Sequence, residues 1–478
     1  MNDAAETHQA AADSDSAVDA DSRQPTPVAV HLPGARSDSI GRQVFLLALP
    51  MLGEQYLNFL VALFDTWIAK FLGMEATNAV GTGAYMGWFV GLIGSLVGTG
   101  SAALVSRSFG ARDIRTADRA ANQSLILALA FGAAMTVTVY SIAPPLAALF
   151  TQTPEAEAMV LKFLRIDCFG YTLFSVALVC GGAMRAAGDT RTPLVIQAGV
   201  NVVNIALVYS AVFILGLGIE GIAASTAIAR SLGGLIVFLV LTRGLRGMRI
   251  TRAGLRPDPE IIRRILRVGV PAGIDAGMMW LAQMAFLAIV AHSASGDAAT
   301  VNSAAHMIAM RVEAISFLPA VAWMTAAATL VGQYLGAGDA RRAMRAGHLA
   351  ALQAASLCTV IGAVFFLASN QIYAQMSQDP EVQRVGGTTF KYLGIVQPIL
   401  AMAIVYIGAL RGAGDTRTTM VFALVGGLGV RVPVAYLGAI ILQWGLFGAW
   451  LGMWADNVVK FALGLMRFAG GRWKHTRV

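Results

Sequence analysis

Asp65 lies fifteen residues after Pro50 in LALPMLGEQYLNFLVALFDTWIAKFLG, an apolar run that also holds Glu54. A carboxylate inside such a run is costly to keep in lipid and by default marks a pathway or a coupling site. A carboxyl in apolar surroundings can load and release a proton over the working pH range. At 1.5 Å per residue the helix carries Asp65 about 22 Å beyond Pro50, into the outer half of a bilayer, with Glu54 nearer its middle. Pro50 leaves the carbonyl one turn earlier without a donor, so this helix can bend. The other reading of Asp65 is an interfacial cap or a pair with Lys70 or a neighbouring helix. The same pattern recurs at Pro271. Aligning the two prolines sets Glu54 on Asp275 and Asp65 on Phe286, so one acid is duplicated and the other is unique to the first half. Cation coupling is therefore expected in that half, with Pro50 and Pro271 as hinges and Glu54 and Asp275 as secondary acids.

The elements that must hold these groups are membrane helices. With 56% apolar residues, 13% charged and 51 glycines, most of the chain needs lipid as its solvent. The net charge of +8 comes from arginines between apolar runs, where they orient the chain and meet anionic headgroups; nucleic-acid binding is not expected. Cys168, Cys180 and Cys358 lie inside apolar stretches without paired spacing, as small core residues. Residues 1–40 have no apolar period and are expected to form a disordered tail, and the first apolar segment reads as a retained span. Runs long enough to cross a core of about 30 Å fall near 44–70, 79–106, 121–149, 158–184, 193–216 and 220–242. A second set falls near 264–292, 300–333, 346–369, 386–410, 419–442 and 446–468.

The two sets are copies. RAAGDTRTP from Arg185 returns as RGAGDTRTT from Arg411, and the same shift carries LVSRSFGARDIRTADRA at Leu104 onto LVGQYLGAGDARRAMRA at Leu330. A parallel duplication of six-helix units is typical of secondary transporters. The expected fold class is all-α, a polytopic membrane protein with twelve helices in two six-helix lobes. The first lobe is 41–243, a basic linker 244–263, the second lobe 264–470 and a C-terminal tail 471–478. Arginines crowd the connections after every second span, including Arg112, Arg115, Arg119, Arg191, Arg341, Arg342, Arg345 and Arg417, and above all the linker. By the positive-inside rule these connections and both termini are cytoplasmic, in the plasma (inner) membrane. In the GDTRT loops Gly188 and Gly414 are expected in the left-handed conformation, with Thr192 capping the helix that Pro193 opens. Arg185, Arg191, Arg411 and Arg417 are expected to snorkel to the headgroups and pair with Asp189 and Asp415.

Other charges within spans should find partners. Arg431 and Asp456 lie at similar distances on either side of the turn at Trp444, so antiparallel neighbours bring them to one depth as a structural salt bridge. Arg311 and Glu313 are expected near the outer end of their span, at a cavity mouth. Arg230 has no evident partner except Asn204. His306 reads as hydrogen-bonded packing. On the seventh span Met278, Met279, Trp280, Gln283 and Met284 suit an adaptable pocket for organic cations, because methionine is deformable and aromatic faces attract cations.

With its twofold repeat, paired RxAGDTRT loops, the LVGQYLGAGD loop and an aspartate fifteen residues after the first-span proline, the chain resembles the multidrug and toxic compound extrusion (MATE) transporters over about residues 40–470. HMIAMRVEAISFLPA at His306–Ala320 and the absence of an acid at Met279 resemble the DinF-like branch. The resemblance implies V-shaped lobes around a central cavity and export of bulky, often cationic compounds by antiport. It implies a cation-coupling role for Asp65 with Asn204 in the same first-lobe pocket. Val208 stands where the family pattern puts a further acid. Fewer oxygen ligands favour protons over sodium. No cofactor or metal is expected beyond the ion gradient, and the partners are small organic molecules and lipid, with the protein a monomer. Alternatives are a sodium-coupled exporter and a flippase for lipid-linked precursors, which needs several inward-facing arginines. Neither HExxH, GxSxG nor a nucleotide-binding glycine loop occurs, so an enzyme is not expected.

Overall fold

The computed structural model describes residues 39–151 and 153–476. The expected N-terminal tail, apart from its last residues, lies outside them. The chain is all-α, and among the described residues the only β-type pairing is an isolated bridge between Leu245 and Met248. Among the described residues twelve long helical segments follow one another: α1 Ile40–Lys70, α2 Met74–Gly110, α3 Ile114–Phe150, α4 Pro154–Ala186, α5 Arg191–Ile214 and α6 Gly218–Arg243 in the first lobe. The second lobe has α7 Pro259–Ala291, α8 Asp297–Gly336, α9 Ala340–Met376, α10 Pro380–Gly412, α11 Thr416–Ile441 and α12 Gly445–Ala469. The first 11 are long and apolar enough to cross a bilayer. The last is diluted by Asp456, Asn457 and Lys460, all of them buried within the lobe.

Short polar side chains start these helices. The carboxylates of Asp113, Asp258 and Asp339 accept the amides of Thr116, Ile261 and Arg342, and Thr153 caps α4 ahead of Pro154. Asp113 is thereby held below the usual carboxylate range, its hydrogen bonds with Thr116 favouring the charged form. Gly188 and Gly414 end α4 and α10 at φ 85° and 83°, a conformation that penalises any Cβ. The cap of α5 is Asp189 rather than Thr192: its Oδ1 accepts the amides of Arg191 (3.2 Å) and Thr192 (3.0 Å), and its Oδ2 accepts the Thr192 hydroxyl at 2.7 Å.

Three spans depart from regular helix. In α4 a 3₁₀ turn at Cys168–Gly170 follows Asp167, α5 ends in the π-helical Ser210–Ile214, and α11 carries π segments at Leu424–Arg431 and Leu437–Ile441. Such segments re-aim side chains, and here they adjoin Asp167 and Arg431.

The linker is clamped onto α3. Asn122 donates to the Arg249 carbonyl (3.0 Å) and accepts the Thr251 amide (3.1 Å). Gln123 donates to the Gly254 and Arg256 carbonyls, at 3.0 and 2.9 Å. Helix α7 already begins at Pro259, so the linker proper is shorter than expected. The C-terminal segment is likewise docked: Trp473 is fully buried, stacked on Phe468 at 4.7 Å, and Arg107 of α2 donates to the Thr476 carbonyl at 2.6 Å.

The lobes meet at the arginine-bearing end. There α2 approaches α7 and α8 so closely that a Cβ on Gly110 would collide with the Gln333 carbonyl, and one on Gly336 with the Arg107 carbonyl. Gln333 donates to the Ala186 carbonyl at 2.8 Å, and Gln353 to that of Gly41 at 2.8 Å. Toward the other end these contacts give way to Tyr56 with the Ile315 carbonyl (2.9 Å) and Phe89 against Trp280 (5.6 Å).

Candidate functional site

The first-lobe pocket is built by α1, α4, α5 and α6. Asp65 is half-buried, and Asn204 of α5 donates to its Oδ1 at 3.4 Å. Among the described residues the buried Asn204 Oδ1 has no partner, leaving one acceptor unused beside the carboxylate. Val208, one turn on, is fully buried in the apolar core. A polar stripe continues toward the arginine-bearing end, where Asn201 donates to Asn58 (3.2 Å) and accepts from Gln197 (2.8 Å). Asn58 stands two turns before Asp65 and the α5 amides are spaced along one face, so the stripe was visible as helical spacing.

Arg230 does not pair with Asn204. Its Nη1 binds both oxygens of Asp167, at 2.6 and 2.7 Å, and the Tyr171 hydroxyl donates to the same carboxylate at 3.0 Å. The guanidinium also lies against the Tyr171 and Phe174 rings, at 5.7 and 5.5 Å. Both charges of this pair act on Asp65. Asp167 was not singled out from sequence; its only signal is an acid one turn before Tyr171 within apolar surroundings.

Glu54 and Asp275 occupy equivalent places in their lobes. Arg185 Nη1 meets Glu54 at 3.0 and 3.2 Å, and Arg411 Nη2 meets Asp275 at 2.7 Å. These arginines therefore neither snorkel nor pair with Asp189 and Asp415. They come from the end of the fourth helix of each repeat and reach inward to the acid one turn beyond the helix proline. Asp415 instead binds Arg467 (2.8 Å) and the Thr418 hydroxyl (2.6 Å). Pro50 and Pro271 lie within α1 and α7, which continue through them.

In the second lobe the place of Asp65 is taken by Phe286, fully buried against His306 at 5.5 Å. Trp450 Nε1 donates to His306 Nδ1 at 3.3 Å, so this histidine packs inside the lobe. Met278, Met279, Trp280 and Met284 are half-buried on α7. Gln283 is occupied otherwise: its Oε1 accepts from Arg431 at 3.0 Å. Arg431 and Asp456 meet at 2.6 Å, and Lys460, one turn after Asp456, joins them at 2.9 Å. Glu313 is 7% exposed and so is sealed inside the lobe rather than at a mouth, whereas Arg311 is exposed. Among the described residues no three His, Cys, Asp or Glu converge as a metal site.

The MatE family model matches residues 50–210 and 271–437, one match per repeat. A probable multidrug resistance protein NorM of Thermotoga maritima is 28% identical over 454 residues, covering 94% of this chain and 96% of the relative. Multidrug resistance protein PmpM of Pseudomonas aeruginosa is 27% identical over 429 residues, 86% of this chain and 87% of its own. A crystal structure of a MATE protein in complex with MaL6 superposes with a TM-score of 0.82 at 23% identity, covering 91% of this chain and 98% of that one.

Proposed function

Because this chain belongs to the MatE family of membrane transporters and is not an enzyme, we propose that it is a secondary multidrug exporter. In this reading it expels bulky, often cationic organic compounds in exchange for protons by alternating access. The names of the Thermotoga and Pseudomonas relatives support multidrug export. The observation that carries the coupling assignment is the environment of Asp65. Glu54, Asp167, Asp275 and Asp456 are each held by a guanidinium, whereas Asp65 is held by the neutral Asn204 amide and remains partly open. A carboxylate without a fixed counter-ion among the described residues is free to exchange a proton or to meet a cationic substrate; Glu313 also lacks a guanidinium partner there but is sealed inside its lobe, whereas Asp65 is partly open.

The protein acts as a monomer in the plasma (inner) membrane with both termini cytoplasmic, and the resemblance of His306–Ala320 and Met279 supports the DinF-like branch. With the arginine-bearing end inside, lobes that meet there form an outward-facing state. Met278, Trp280 and Met284 offer the adaptable face for substrate, while Gln283 belongs to the Arg431 cluster. The sodium-coupled alternative draws on the Asn204 Oδ1, which has no partner among the described residues, as a ligand, but the buried Val208 withholds the acid that would complete it. A flippase for anionic precursors loses ground because Arg230 and Arg431 are neutralised by Asp167 and Asp456.

The test is uptake of a fluorescent organic cation into proteoliposomes driven by a pH gradient, for wild type and Asp65→Asn, then by a sodium gradient alone. Proton-driven uptake lost in a folded Asp65→Asn variant is expected. Uptake driven by sodium alone overturns the ion assignment, and no uptake under either gradient favours the flippase.

A further inference from the structure

A cavity of about 970 Å³ opens at the arginine-bearing base of the second lobe, where α7 and α11 begin. Arg263 and Arg267 enter it from one face of α7, a turn apart, and Arg417 enters from the first turn of α11. All three are exposed, and among the described residues none of them has an ion-pair partner. Among the described residues the one acid in the lining, Asp415, is committed to Arg467 and Thr418. Three guanidiniums facing one cavity with no free carboxylate among the described residues repel one another and favour an anion. Ile262, Leu266 and Val268 add an apolar flank beside the charged mouth. The first lobe does not repeat this arrangement: the proline alignment places Arg42 and Leu46 where α7 has Arg263 and Arg267, leaving only Arg42 and Arg191.

We propose that this cavity is a binding site for the phosphate group of an anionic lipid of the cytoplasmic leaflet, with Arg263, Arg267 and Arg417 on the phosphate and the α7 residues against the acyl chain. Phosphate is the group that guanidiniums grip in a forked geometry. A lipid is its natural source, because a basic cluster at a helix entry into the bilayer meets headgroups first. The inference uses the orientation given above and not the transport reading, and its test measures binding alone, so the two can fail separately.

The purified full chain in detergent is titrated with dioctanoyl phosphatidylglycerol or dioctanoyl phosphatidylcholine and bound lipid is counted by native mass spectrometry. Phosphatidylglycerol is expected to bind more tightly than phosphatidylcholine. Each arginine removed should weaken it about fivefold, so the triple variant Arg263→Gln, Arg267→Gln, Arg417→Gln should lose on the order of 100-fold. Arg191→Gln, the first-lobe counterpart, should leave it unchanged. Should the triple variant not fold, Arg417→Gln alone carries the test through its fivefold loss. Equal affinity for the two lipids, or full retention by the variants, overturns the proposal. Inorganic phosphate displacing phosphatidylglycerol at equal concentration identifies free phosphate as the ligand and overturns the lipid assignment.

Discussion

Asp65 and Asp167 belong to one pocket and have opposite surroundings. Asp167 is fully buried and clamped by Arg230 and Tyr171, so removing its charge strands a guanidinium among aromatic rings. Asp167→Asn is expected to destabilise the protein by about 3–5 kcal/mol, seen as a lower midpoint in thermal unfolding in detergent, with partial recovery in the Asp167→Asn, Arg230→Gln double variant. Asp65→Asn should leave that midpoint close to wild type while abolishing gradient-driven transport. A Asp65→Asn midpoint as low as that of Asp167→Asn would mark Asp65 as a structural residue. Asp65 was legible in the sequence because a lone acid stands out in an apolar run. That the Arg230–Asp167 pair stands beside it was not, because both residues come from helices more than a hundred residues away.

At the scale of elements, the linker illustrates how side chains of one helix order a segment with little secondary structure of its own. Asn122 is fully buried and serves two linker backbone groups. Asn122→Ala should cost about 1–3 kcal/mol and raise hydrogen exchange over residues 249–256; unchanged exchange there would show that Asn122 does not hold the linker. Arg119 holds Asp258 below the usual carboxylate range. A depressed value means that this contact is present above the ordinary carboxylate pKa and is lost only as pH falls through the lower one, so the protection of the linker amides, corrected for the intrinsic rise of exchange with pH, should not change from about pH 5 upward. Helices also run further than their apolar cores: α9 was expected over 346–369 and spans Ala340–Met376, because Asp339 caps it well outside the lipid-facing stretch.

For the whole molecule, the contact between lobes is a close backbone approach at one end. Gly110→Leu places a side chain where the Gln333 carbonyl now sits and should hold the lobes apart at the arginine-bearing end. The native cysteines are buried, so labelling of a Gln333→Cys probe reports this directly. Labelling should rise about tenfold in the Gly110→Leu background; an unchanged rate would mean that α2 and α8 do not form the closure.

The duplication, the twelve spans, their arginine asymmetry and the unique acid of the first span were all determined by sequence, because hydropathy and internal repetition are local or periodic properties. Arg431 with Asp456 was legible for the same reason: a short turn fixes the depth of two neighbouring antiparallel helices. Only the tertiary structure decided that Arg185 and Arg411 turn inward to Glu54 and Asp275, that Arg230 belongs to Asp167, that Gln283 serves Arg431, and that Asp65 is left with a neutral amide. Those choices depend on which helix faces lie opposite each other across a lobe, and a buried charge takes whichever partner the packing brings within reach.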